Sequence, residues 1–146
     1  MKVFVINDCH FPYIEDKALY KFEDYLQAEK PDTLIIAGDF LDCEEISKFI
    51  GLPRMTFKEE LMGARDILKE WQRLSPKTKI KYIEGNHEFR LRQFLIRQAP
   101  QLYEFYTLSE LMKLNELGIE YYPVRDNATK FVHNFIEEWV GDNHYL

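Results

Sequence analysis

Cysteine, histidine and cationic side chains are all in short supply in this chain. Two cysteines among 146 residues, Cys9 and Cys43, cannot build a disulfide framework and do not form a CxxC pair. Both are expected to be buried thiols in a reducing cytoplasm. Lys and Arg total 19 against 25 Asp and Glu, for a net charge of −6. That balance argues against a dedicated duplex-DNA binder, which needs many phosphate contacts, but leaves room for a local phosphate pocket. No apolar run approaches the roughly 18 residues of a membrane span, and Met1-Lys2 leads into an apolar segment without a signal-peptide pattern. A cytoplasmic protein with no membrane partner is expected. Repeats, low-complexity tracts and linkers are absent, so residues 1–146 read as a single domain.

What is present is globular: 46% of the residues are apolar and 30% charged, well away from the composition of disordered chains. Residues 2–7 (KVFVIN) and 33–37 (TLIIA) read as buried strands, and 79–84 and 119–124 as two more. Residues 16–29 carry Leu19, Phe22 and Leu26 at helical spacing, with Pro31 beyond the end. Residues 57–74 repeat Leu61, Ala64, Leu68 and Trp71 on one face, and Ser75-Pro76 stops them. Helices are also expected over 88–98, closed by Pro100, and over 107–117, where Thr107 and Glu110 have capping-box spacing and Gly118 is the stop. Residues 131–139 lean towards helix, 141–143 towards a turn, and His144 towards a strand start. Strands and helices in alternation give an α/β fold with a largely parallel central sheet and covering helices. Ligands of such sheets collect outside the carboxyl ends of the strands.

Three strings lie at those ends: Asp8-Cys9-His10, Gly38-Asp39-Phe40-Leu41-Asp42 and Gly85-Asn86-His87-Glu88. They gather carboxylates, an imidazole and an amide, the donors that hold divalent metals. Asp8 and His10, one residue apart on an extended segment, would point to the same side. Asp39 is placed to bridge two ions, and Asn86 offers a neutral oxygen that keeps the site from becoming too anionic. His87 can face a substrate as proton donor. Taken singly each string has a plainer explanation: an Asx turn at Asp39 and Asp42, a cap at Asp8, a turn before a helix at Asn86-His87. Lys58, Arg65 and Lys69 read as surface charge balancing Glu59, Glu60, Asp66 and Glu70, and the remaining aromatic residues as core.

As an ordered set, the strings resemble the calcineurin-like metallophosphoesterases, whose pattern is D-x-H, G-D-x-x-D and G-N-H-[DE]. The likeness covers about the first 90 residues, and Phe11-Pro12-Tyr13 is similar to a phage and bacterial subgroup. It implies the N-terminal part of a four-layer α-β-β-α sandwich and two divalent ions (Mn²⁺, Fe, Ni²⁺ or Zn²⁺). Asp8 and His10 would ligate the first ion, Asp39 both, and Asn86 the second. His87 would assist the leaving group, Asp42 would orient His87 by a hydrogen bond, and Arg90 would lie near the phosphate or on a solvated helix face. The implied reaction is hydrolysis of a phosphomonoester or phosphodiester by metal-bound hydroxide. The family's later histidines, including a G-H-x-H string, have no counterpart: only His133 and His144 follow His87. A C-terminally truncated domain with an incomplete site is therefore expected. The alternatives are a scaffold that has lost catalysis and a DNA-end nuclease, the latter disfavoured by the acidic charge. Self-association through an exposed sheet edge or face is also expected.

Overall fold

A computed structural model describes residues 1–49 and 51–124, together with the backbone of 139–140 and 144–145. Strands β1 (Val3–Ile6), β2 (Thr33–Ala37), β3 (Lys79–Ile83) and β4 (Glu120–Tyr122) lie side by side in chain order, every pair parallel. Right-handed crossovers between strands laid down in that order bring all the connecting helices to one face. The core agrees: Leu34, Ile36, Ile80 and Tyr82 from alternate strand positions cluster with Leu26 of α1 (Asp16–Glu29) and with Leu61, Ala64, Leu68 and Trp71 of α2 (Phe57–Leu74). Each such buried side chain stabilises by roughly 1.5–3 kcal/mol. A run of edge-to-face rings ties the layers together. Phe22 meets Trp71 at 4.8 Å, Trp71 meets Phe40 at 5.4 Å, Phe40 meets Tyr82 at 5.8 Å, and Tyr82 meets Tyr121 at 5.4 Å. The opposite face, with Val5 beside Ile35, Lys81 and Glu120, is more open, and Val5 is 48% exposed.

The bounds of β2, α1 and α2 coincide with those expected from periodicity. α1 ends on Lys30 in the left-handed region ahead of Pro31, and α2 begins in a capping box between Thr56 and Glu59. α3 (Phe89–Gln98) starts one residue later than expected. The continuous helix expected over 107–117 is not formed. Thr107 and Glu110 do make the capping box, but α4 covers only Leu108–Leu111, and a 3-10 turn over Leu114–Leu117 follows. The break is Lys113, at φ 54°. Met112 and Leu114 are both fully buried, and residues two apart on one helix point in nearly opposite directions. A left-handed residue between them turns both inward. Gly118 closes this stretch at φ 64°.

Trp139–Val140 (β5) and His144–Tyr145 (β6) pair as antiparallel strands, so Trp139 belongs to a strand and not to the end of a helix. The short strand of two β-favouring residues opposite His144-Tyr145 accounts for that. The rest of the helix expected over 131–139, the turn over 141–143, and His133 lie outside the described residues. Not every aromatic side chain is core: Tyr20, Tyr25, Phe49 and Phe105 are well exposed.

Candidate metal centre

The first two strings stay zipped together after their strands end. His10 N–H donates to the Asp39 carbonyl (2.9 Å), Phe11 N–H to that of Phe40 (2.8 Å), and Asp42 N–H to that of Phe11 (3.0 Å). The Phe11–Pro12 bond is cis. The chain here is not extended as its spacing suggested: Asp8, His10 and Asp39 all have positive φ, at 51°, 46° and 51°. Asp and His tolerate that region better than most residues, yet each instance costs of order 1 kcal/mol or more, and such strain clusters at functional sites. With Cys9 buried between them, the flanking Asp8 and His10 side chains still meet, His10 Nε2 standing 3.7 Å from Asp8 Oδ1.

Two donor groups result. Asp8, His10 and Asp39 each offer an atom within 4.8 Å of the others, and so do His10, Asp42 and His87, with His10 common to both. His10 Nδ1 is buried without a hydrogen bond, 3.3 Å from Asp42 Oδ2. A mixed oxygen and imidazole set with an unsatisfied ring nitrogen fits a divalent transition metal. Asn86 is exposed and lines a cleft of about 190 Å³ together with Arg90, Gln93 and Arg97. Neither cysteine joins a donor group, and burial pushes the Cys9 thiol up to about 12 and Cys43 well above its ordinary value.

His87 is held from both ring nitrogens. Its Nδ1 lies 2.8 Å from the carbonyl oxygen of Asp42, and Arg90 Nη2 lies 3.1 Å from its Nε2. A carbonyl and a guanidinium leave one consistent tautomer, with the proton on Nδ1 and Nε2 accepting from Arg90. Burial lowers the His87 pKa, and the Arg90 charge works in the same direction against the Asp42 carbonyl. The Asp42 carboxylate is 3.5 Å from His87 Nδ1 and 3.6 Å from Arg90 Nη1. The hydrogen bond expected from the Asp42 side chain is thus made by its main chain.

Two buried glutamates support this arrangement: Glu88, expected only as the end of the third string, and Glu60, expected as surface charge. Glu88 is fully buried and accepts four hydrogen bonds. Oε1 takes those of Leu41 N–H (3.0 Å) and the Tyr82 hydroxyl (2.7 Å), and Oε2 those of Asp39 N–H (3.0 Å) and Gly85 N–H (2.9 Å). The Asp39 carboxylate in turn accepts from His87 N–H at 2.9 Å. Glu60 is 2% exposed and is no partner for surface lysines. Its Oε1 accepts from Asp42 N–H (2.8 Å) and Cys43 N–H (2.7 Å). The signal for it was available, since Glu60 falls on the same α2 stripe as Ala64 and Trp71.

Burial pushes the Glu60 carboxyl up to about 7 from its ordinary 4.5, against the pull of those two N–H groups. Between the two values the folded protein holds a proton that the unfolded chain has lost. Folding stability therefore falls as pH rises through that window and levels off above it, by on the order of 3 kcal/mol in all. Glu60→Gln keeps an acceptor without the charge. Denaturant titrations at pH 5 and pH 8 are expected to show the variant gaining stability on wild type as pH rises. A wild-type-to-variant difference that stays constant with pH would contradict this.

A family model for calcineurin-like phosphoesterases matches residues 1–145. No curated protein matches the chain. Among the described residues no helix is long and apolar enough to cross a membrane. The match spans nearly the whole chain and takes in all three strings at the strand ends, and the chain belongs to the calcineurin-like phosphoesterase family.

Proposed function

We propose that this chain hydrolyses a phosphomonoester or phosphodiester with divalent ions held by Asp8, His10, Asp39 and Asn86. The observation that carries this is the meeting of Asp8, His10 and Asp39, each with a donor atom within 4.8 Å of the others, at the carboxyl ends of β1 and β2. Two ions at such a centre would draw charge from the phosphate oxygens and acidify the attacking water. The mixed donors suit Mn²⁺, Fe, Ni²⁺ or Zn²⁺.

The chain's own groups complete the site. Arg90 donates to the Asp42 carbonyl at 2.8 Å and is fixed by His87, so a guanidinium stands ready to balance phosphate charge as it develops. His87 in its described tautomer positions Arg90. It reaches a leaving group as a proton donor only once its Nε2 is released from that contact and has taken up a proton. Asp42 sits between His10, His87 and Arg90 and keeps the three together.

With Mn²⁺ added, the protein is expected to release p-nitrophenol from p-nitrophenyl phosphate or its bis ester. Asp39→Asn is expected to lower that rate by about a hundredfold or more, since disturbing even a neighbour of a ligand costs 10–100-fold. Undiminished hydrolysis by Asp39→Asn would overturn the assignment.

A further inference from the structure

The cleft that Asn86 lines is a second cationic feature beside the centre. Its walls are Ile46, Ser47, Lys48 and Phe49 from the loop after β2, with Asn86, Phe89, Arg90, Gln93 and Arg97. No carboxylate is among them, in a chain of net charge −6. The glutamates just before Ile46 are engaged elsewhere: Glu44 accepts from the Tyr13 hydroxyl and Glu45 from Phe57 N–H. Arg90, Gln93 and Arg97 recur along one face of α3. Arg54, Arg65, Arg73, Arg90 and Arg92 each have a hydrogen-bond or ionic partner. Among the described residues Arg97 is the arginine that has none.

Arg90 and Arg97 are seven residues apart, a rise of about 10 Å along the helix. A single phosphate at the centre near Arg90 would leave Arg97 and Lys48 free for a second anion one step farther along the substrate. Phe49, 69% exposed at the rim with Lys48 Nζ 5.4 Å from its ring centroid, offers a flat apolar surface beside that anion, the combination that single nucleic acid strands use.

We infer that Lys48, Gln93 and Arg97 form a subsite for a second phosphate, so that the preferred substrate is an ester flanked by another phosphate, as in a short oligonucleotide. This rests on the scissile phosphate lying at the metal centre. The test compares dithymidylate with a 5′-phosphorylated form whose terminal phosphate is capped as its methyl ester, so that no monoester competes for the centre, both with phosphorothioates at every phosphate to slow cleavage, by calorimetric titration in Mn²⁺. Wild type is expected to bind the phosphorylated form about tenfold more tightly, the worth of one charged hydrogen bond. Lys48→Ala/Arg97→Ala is expected to erase that preference while leaving Mn²⁺ uptake and Tm unchanged, and Lys48→Arg/Arg97→Lys to retain it. Equal affinities in wild type, or a preference that survives in the alanine variant, would overturn the subsite. Failure of the hydrolytic assignment shows separately, as Mn²⁺ uptake and p-nitrophenol release that Asp39→Asn leaves untouched.

Discussion

Glu88→Ala is expected to lower folding stability by about 3–5 kcal/mol, the cost of the buried donors it leaves unsatisfied, and to abolish metal uptake with it. The carboxylate bonds both loops of the centre, through Asp39 N–H and Leu41 N–H on one side and Gly85 N–H on the other. Alanine strands three backbone donors in a region closed to water, each worth about 1–3 kcal/mol when left unsatisfied. Burial holds the Glu88 pKa above its ordinary value, opposed by the Leu41 N–H, the Tyr82 hydroxyl and its own backbone N–H. The charge is a burden that the hydrogen bonds offset, so geometry is what the residue contributes. Glu88→Gln separates the two effects. It removes the charge but turns an amide NH₂ towards either Asp39 and Gly85 or Leu41 and Tyr82, setting donor against donor. A loss approaching that of alanine is expected. At 2–4 °C per kcal/mol for a chain of this size, Glu88→Ala would show a Tm lower by roughly 10 °C. A glutamine variant as stable as wild type would mean that the four bonds matter less than their number suggests.

How far all this could be read in advance depends on the kind of force at work. Apolar spacing announces α1, α2 and β2 because burial of one face dominates their energy, and the bounds agree to the residue. The ends of β1, β2 and β3 bring Asp8, His10, Asp39, Asp42 and His87 together for a topological reason that any parallel sheet supplies. Local backbone reversals were not legible. Lys113 in the left-handed region is set by the simultaneous burial of Met112 and Leu114, which no propensity of lysine foretells. Positive φ at Asp8 and His10 likewise arises from cross-loop pairing with Gly38 and Asp39. The burial of Glu60 is legible in its α2 stripe, but its partners and the Asp39 and Leu41 partners of Glu88 lie 17 to 49 residues away in sequence, beyond the reach of any short pattern. The Asp42–His87 pair shows the finest limit. Sequence can name both partners, but whether carboxylate or carbonyl makes the bond is decided by tenths of an ångström.

Gly85→Ala is expected to be nearly as damaging as loss of Glu88, for steric reasons. A Cβ at position 85 would stand 2.3 Å from Asp39 N, 2.3 Å from Asp39 Oδ1 and 2.7 Å from Glu88 Oε2. Two of these atoms belong to the side chains that organise the centre, and the third is backbone, so rotation of a flexible tip cannot relieve the clash. The opposite wall is no freer, because Gly38 already faces Gly85 so closely that its own Cβ would lie 3.0 Å from Gly85 Cα. Overpacking ordinarily costs about 1–3 kcal/mol. Here the β2 and β3 loops must also part, which lengthens the Glu88 bonds to Asp39 and Gly85 together with the His87 N–H bond to Asp39. A Tm fall of several degrees with metal uptake reduced at least about tenfold is the expected result. Thermal denaturation and calorimetric Mn²⁺ titration would measure both. Gly118→Ala is the matched control: it sits at φ 64° with nothing within 4 Å of an added Cβ, so it should cost about 1 kcal/mol of backbone strain and leave Mn²⁺ uptake alone. Equal metal uptake by Gly85→Ala and Gly118→Ala would mean that close contact between the two loops is not what shapes the centre.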